Sequence, residues 1–197
     1  MSTTRDLDFL FEIGTLRNVK RGWAQHIAQN CASVLEHTAR VVWIALILAR
    51  KERVKDEEKV MKMALVHDVA EARVSDLSYV QKVYVIADEE RAVKDAFEGT
   101  ILESFYKDTL VEYEKRESIE AKIVKDADNL DVDIELKELA ETGSVLPRKW
   151  QIFRKMVREN KLYTQSAREL WDLLQEVDVQ SWHLAVNKWV KVPEAGT

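Results

Sequence analysis

The chain has 197 residues, 46% apolar and 33% charged, which favours one soluble domain spanning 1–197 with a sizeable core. A net charge of -5 argues against a nucleic acid polymer as partner, and the single cysteine, Cys31, rules out an internal disulfide and fits a reducing, cytoplasmic setting. Only 5 Gly and 2 Pro favour helices, the longest apolar run (Val41 to Ala49) is far short of the ~20 residues a membrane span needs, and Asp6, Asp8 and Glu12 leave no signal-peptide pattern.

In chain order, the spacing predicts a short amphipathic helix over 5–13, with Leu7, Leu10 and Phe11 on one face and Gly14 as a stop. A loop follows, Arg17 to Trp23, with Lys20 and Arg21 beside Gly22 and Trp23; it reads either as a solvated basic loop or as an anion-binding loop with an aromatic wall. A helix is predicted over 31–51, with His37 on the stripe of Val34, Val41, Ala45 and Leu48. A lone histidine there is more often core than ligand. The next helix runs over 56–71, with Asp56 as N-cap and Val60, Met63, Ala64 and His67 on one face. Glu71 lies one turn beyond His67, and Asp68 about 100° round from it, so both acids reach the edge of a buried stripe. Burying such groups unpaired costs on the order of several kcal/mol, and a metal ion or counter-charge is the usual remedy.

Residues 73–85 read as a connection with some β-branched character, opened by Asp76. Helices are predicted over 88–107 and 118–142, the second carrying Asp128 beside the stripe of Ile123, Ala127 and Leu130. Spacing does not choose between Asp128 and Asp131. Helices over 148–159, 164–177 and 179–191 complete an all-α fold, with a core of about 31–142 and C-terminal helices over about 148–191. Four of the six tryptophans (Trp150, Trp171, Trp182 and Trp189) lie there and are expected in the core or at a dimer face.

Together, His37, His67, Asp68 and Asp128 form a mixed N/O set that suits Mn, Fe, Co, Ni or Zn better than Ca, and a divalent ion lowers the pKa of its bound water. The order His37, then His67-Asp68, then Asp128 resembles the HD superfamily of metal-dependent phosphohydrolases. With Glu71, Asp76 and Arg21-Gly22-Trp23, it is most similar to the compact HD-domain 5'-deoxynucleotidases, over about residues 7 to 175.

The resemblance implies a compact helical HD-domain bundle in which His37, His67, Asp68 and Asp128 bind one divalent metal, Mg being a further possibility. It implies Glu71 and Asp76 as catalytic carboxylates, with the proton donor left open between them, Arg21 on the 5'-phosphate and Trp23 against the sugar, disfavouring a 2'-hydroxyl. The expected reaction is hydrolysis of 2'-deoxynucleoside 5'-monophosphates by a homodimer. A planar guanidinium suits phosphate in a way that Lys does not. Rival readings are an HD phosphohydrolase for a triphosphate, cyclic nucleotide or guanosine alarmone, and a non-catalytic nucleotide-binding regulator. His26, near Trp23, is open to a substrate role.

Overall fold

The computed structural model describes residues 3–27, 30–186, 188 and 189. Among them there is no strand; one isolated antiparallel bridge pairs Lys20 with Ser33. The helices are α1 (Thr3–Gly14), α2 (Val34–Lys51), α3 (Glu57–Val66), α4 (Glu71–Val74), α5 (Gln81–Tyr84), α6 (Glu89–Phe97), α7 (Glu103–Lys115), α8 (Ile119–Glu141), α9 (Leu146–Asn160), α10 (Gln165–Glu176) and α11 (Ser181–Ala185), with 3-10 turns at Thr15–Asn18 and Gly22–His26. The fold is all-α, as composition and periodicity predict.

Caps decide where the long helices begin. At α2, Ser33 Oγ accepts from Glu36 N–H at 3.3 Å while Glu36 Oε2 accepts from Ser33 N–H at 2.7 Å, so the helix starts at Val34 rather than at 31. Asp56 and Ser118 cap α3 and α8 by accepting the Lys59 and Ala121 N–H groups, each cap contributing about 0.5–2 kcal/mol. The main core lies between α2, α3, α8 and α10, where Leu48, Met63, Ile123 and Leu130 are fully buried, each contributing roughly 1.5–3 kcal/mol. Asp126 of α8 accepts the Tyr163 and Thr164 N–H groups at 2.7 and 2.8 Å and the Thr164 hydroxyl at 2.7 Å, fixing the start of α10.

Several expectations are corrected. In α1 the buried residue is Phe9, its ring 4.8 Å from that of Phe97, with Ile13 packed nearby; Leu7, Leu10 and Phe11 face outward. The helix predicted over 88–107 is two helices, broken where Gly99 takes φ +72°. The apolar period runs through the break because Phe97 and Phe105 join the same cluster. The 73–85 connection contains helical turns, α4 and α5, rather than extended chain. Trp171 is in the core and Trp150 is half-buried, whereas Trp182 and Trp189 are exposed. Of the helix predicted over 179–191, α11 covers Ser181–Ala185, and residues 187, 190 and 191 lie outside the described residues. No helix among the described residues is long and apolar enough to cross a membrane.

The most consequential break falls in the helix predicted over 56–71. It stops at Val66 and resumes at Glu71. The His67 ring takes the Ala64 carbonyl at 2.8 Å, and the backbone tightens to three-residue steps, Val69 N–H to Val66 O at 3.2 Å and Glu71 N–H to Asp68 O at 3.0 Å. After α4, Ser75 sits at φ +64°, ψ 161°, a region that is essentially glycine's alone. Directly after it, Asp76 meets Arg21 and the Gly22 backbone. Because a non-glycine residue there costs on the order of 1–3 kcal/mol, Ser75→Gly is expected to raise the thermal midpoint by about 2–4 °C after the greater freedom of Gly in the unfolded chain is offset. Calorimetry checks this, and an unchanged or lower midpoint would refute the strain.

Candidate metal centre

Two helices and one turn bring the expected ligands to one point. His37 comes from the second turn of α2, His67 and Asp68 from the turn after α3, and Asp128 from the middle of α8. One donor atom from each lies within 4.8 Å of all the others. His37 Nε2 is 3.2 Å from His67 Nε2, 3.3 Å from Asp68 Oδ2 and 3.3 Å from Asp128 Oδ1, and His67 Nε2 is 3.2 Å from Asp68 Oδ2. Ligands at roughly 2.0–2.2 Å from one ion stand about 2.8–3.6 Å apart at tetrahedral or octahedral angles, which these separations match.

The outer contacts aim both rings inward. His37 Nδ1–H donates to Asp131 Oδ2 at 2.5 Å, and His67 Nδ1–H to the Ala64 carbonyl, leaving both Nε2 atoms for a cation. Asp131 is fully buried and is held in turn by Arg40 Nε. Burial alone would lower the His37 pKa, but the carboxylates of Asp128, Asp131 and Asp68 hold it well above its ordinary value. A positive charge is thus favoured at the very point where the two nitrogens meet.

The charge balance agrees. Four carboxylates (Asp68, Asp76, Asp128 and Asp131) face three cationic side chains (Arg21, Lys125 and Arg40), with the Glu71 carboxyl beside them. Arg21 is buried, with Nη1 3.0 Å from Asp76 Oδ2 and 3.5 Å from Asp68 Oδ2, and Nη2 4.0 Å from Asp128 Oδ1. Lys125 Nζ meets Asp128 Oδ2 at 2.7 Å. The donor set, its spacing and its excess of negative charge fit a divalent ion held by His37, His67, Asp68 and Asp128.

The two further carboxyls differ in state. Asp76 Oδ2 also accepts the Gly22 N–H at 3.0 Å, so Asp76 ties the Arg21 loop to the site as an acceptor. Glu71 Oε2 is buried without a hydrogen-bond partner among the described residues. Burial first, then the charges of Asp68 and Asp76, push its pKa up to about 9. Glu71 therefore holds a proton near neutral pH.

Gly22 lets the loop approach this closely. A Cβ there would stand 2.7 Å from Ser78 N and 2.9 Å from the Asp76 carbonyl, distances that force the two segments apart. Next to it, Trp23 is half-buried, its ring centroid 5.7 Å from the Arg21 guanidinium and 6.3 Å from Trp150. Every predicted site residue thus falls in or beside one cluster. Sequence reasoning gave no role to Lys125, and it weighed Asp131 only as a rival of Asp128; the signal for both was their position three residues either side of Asp128 on α8.

A protein-family model described as HD domain matches residues 13–177. The chain belongs to the HD-domain family. A relative from Danio rerio named 5'-deoxynucleotidase HDDC2 is 34% identical to this HD-domain chain over 142 residues, 68% of this chain and 70% of the relative. A solved structure of a conserved hypothetical protein from Pyrococcus furiosus is 29% identical, covers 87% of this chain and 99% of its own, and superposes with a TM-score of 0.71. An HD phosphohydrolase from cyanophage S-2L, bound to dA and one catalytic Zn2+ ion, shares the fold at a TM-score of 0.54 and 14% identity, covering 85% of this chain and 96% of its own. The fold of this chain therefore recurs in solved structures.

Proposed function

We propose that this protein is a metal-dependent phosphomonoesterase that hydrolyses 2'-deoxynucleoside 5'-monophosphates to deoxynucleoside and phosphate. The observation that carries the reading is a single buried guanidinium, Arg21, poised beside a four-residue N/O ligand set, in a chain similar to proteins named 5'-deoxynucleotidase. One divalent ion, Mn, Co, Fe, Ni or Zn, suits this mixed set. When bound, such an ion lowers the pKa of a coordinated water and offsets the phosphate's charge.

The chain's own groups divide the remaining work. Arg21 binds the phosphate through paired N–H donors, exchanging its contacts with Asp68 and Asp128 for the phosphate oxygens. Asp76 keeps the guanidinium and the Gly22 backbone in place during that exchange. Trp23, next to Arg21, packs on the sugar and gives a 2'-hydroxyl no partner to replace its lost water. Water adds to phosphorus, the bond from phosphorus to the 5'-oxygen breaks, and the departing oxygen takes the proton held on Glu71; of the two protons of the water, one stays on the released phosphate and the other restores Glu71. Asp76, already ion-paired to Arg21 and accepting a backbone N–H, is the positioning carboxylate rather than the acid.

Phosphate release from deoxy- and ribonucleoside 5'-monophosphates, by metal-stripped protein refilled with Mn, Co, Zn or Mg, tests this directly. The expected outcome is metal-dependent release that favours the deoxy series. Equal release from both series would remove the role of Trp23, and cleavage of triphosphates with no release from any monophosphate would overturn the reading.

A further inference from the structure

The Arg21 loop leads away from the metal centre into three aromatic rings, Trp23, Trp150 and His26, of which the last two have no part in the reading above. Trp23 lies 6.3 Å from Trp150 with an interplanar angle of 38°, and His26 meets Trp150 edge-on at 6.4 Å. Trp150 belongs to α9, whose placement is fixed beside the site. Arg154, buried and one turn further along, donates to Asp133 through Nε at 2.9 Å and Nη2 at 2.7 Å. Its Nη2 also donates, at 2.9 Å, to the carbonyl of Asn129, the neighbour of Asp128. Residues four apart share a helix face, so Trp150 stands about 6 Å along α9 from an anchor that touches the backbone next to the metal centre. The ring packs on the cluster of Val132, Leu136 and Leu139 and stays only partly buried.

His26 is oriented as well. Gln25 Nε2 donates to Ser78 Oγ at 3.0 Å and lies 3.0 Å from His26 Nε2. An amide donor there makes His26 Nε2 the acceptor and puts the ring proton on Nδ1. The order outward is thus a guanidinium, an indole, a second indole and an imidazole edge with a donor. That sequence matches a nucleotide laid out as phosphate, sugar and base.

We propose that Trp150, with the edge of His26, is the surface on which the substrate's nucleobase is bound, the base stacking on the indole and accepting from His26 Nδ1–H. This rests on the deoxynucleotidase reading above. Stacking is sequence-tolerant because every base has a π-face, so the site takes all four deoxynucleotides and discriminates against a substrate with no base.

The test compares a deoxynucleoside 5'-monophosphate with 2-deoxyribose 5-phosphate as substrates of the metal-loaded protein. In Trp150→Ala the ratio of their kcat/KM values is expected to fall roughly 5- to 150-fold, carried by KM, with most of it recovered in Trp150→Phe. In His26→Ala it is expected to fall roughly 2- to 10-fold, as for one neutral hydrogen bond. Because Trp150 also packs on α8, the surface variant His26→Ala and the ring-keeping Trp150→Phe read the same ratio if Trp150→Ala does not fold. An unchanged ratio in the variants that fold overturns the base platform alone. Failure of the wild type to release phosphate from either substrate overturns the platform and the nucleotidase reading together.

Discussion

Asp68→Ala is expected to lose both bound metal and phosphate release. Asp68 Oδ2 is 3.3 Å from His37 Nε2 and 3.2 Å from His67 Nε2, so its removal opens one side of the ligand set. Burial raises its proton affinity, but His67 and His37 more than reverse this and hold it ionised far below the usual carboxylate range. Loss of an outer contact costs roughly 10–100-fold in metal affinity or activity, and loss of a direct ligand is expected to cost more. Asp131→Asn supplies the comparison, since it weakens the contacts to His37 Nδ1 and Arg40 Nε without removing one of the four proposed ligands. Metal content after dialysis and the thermal shift on adding metal read this without turnover. A ligand at 100 times its Kd adds about 2.7 kcal/mol, which Asp68→Ala should forfeit. Full metal content in Asp68→Ala, or a larger loss in Asp131→Asn, would remove Asp68 from the ligand set.

The legible part of this site is the part written in side-chain type and spacing. His37 on an apolar stripe is weak evidence until His67-Asp68 and Asp128 are placed on neighbouring helices, and the long helices α2 and α8 are visible from their period alone. The illegible part is written in backbone. The turn at 67–70 has no Gly or Pro, and what accompanies it is a contact from the His67 ring to the Ala64 carbonyl, so the apolar period runs through it. Ser75 carries the same lesson, because a serine at φ +64° shows in sequence only as an ordinary loop residue. The choice between Asp128 and Asp131 needed the direction of each side chain, one toward His37 Nε2 and the other toward Nδ1. Phe9 was hidden in α1 because its partner, Phe97, is far away in the chain.

Glu71→Gln should slow turnover roughly 10²–10⁴-fold, the usual worth of a positioned proton donor, with little effect on metal content. The pH dependence distinguishes this from simple disruption. A general acid works while protonated, so the wild-type rate is full below the Glu71 pKa and falls as pH rises through it. That value is pushed up to about 9 by burial, Asp68 and Asp76, and a divalent ion beside Asp68 draws it back toward neutrality. The alkaline limb of kcat is therefore expected at or below about pH 9 in the wild type and absent from the residual rate of Glu71→Gln. The metal-free protein gives a second reading. Between the ordinary carboxyl value of 4.5 and about 9, the folded state holds a proton that the unfolded state has lost, so wild-type stability declines as pH rises across that window. Glutamine does not ionise and lacks this decline. The thermal midpoint of Glu71→Gln should thus gain on the wild type as pH goes from about 5 to 8. If Glu71→Gln keeps the wild-type alkaline limb, the proton comes from another group, and Asp76, the only other carboxyl assigned to the leaving side, becomes the acid.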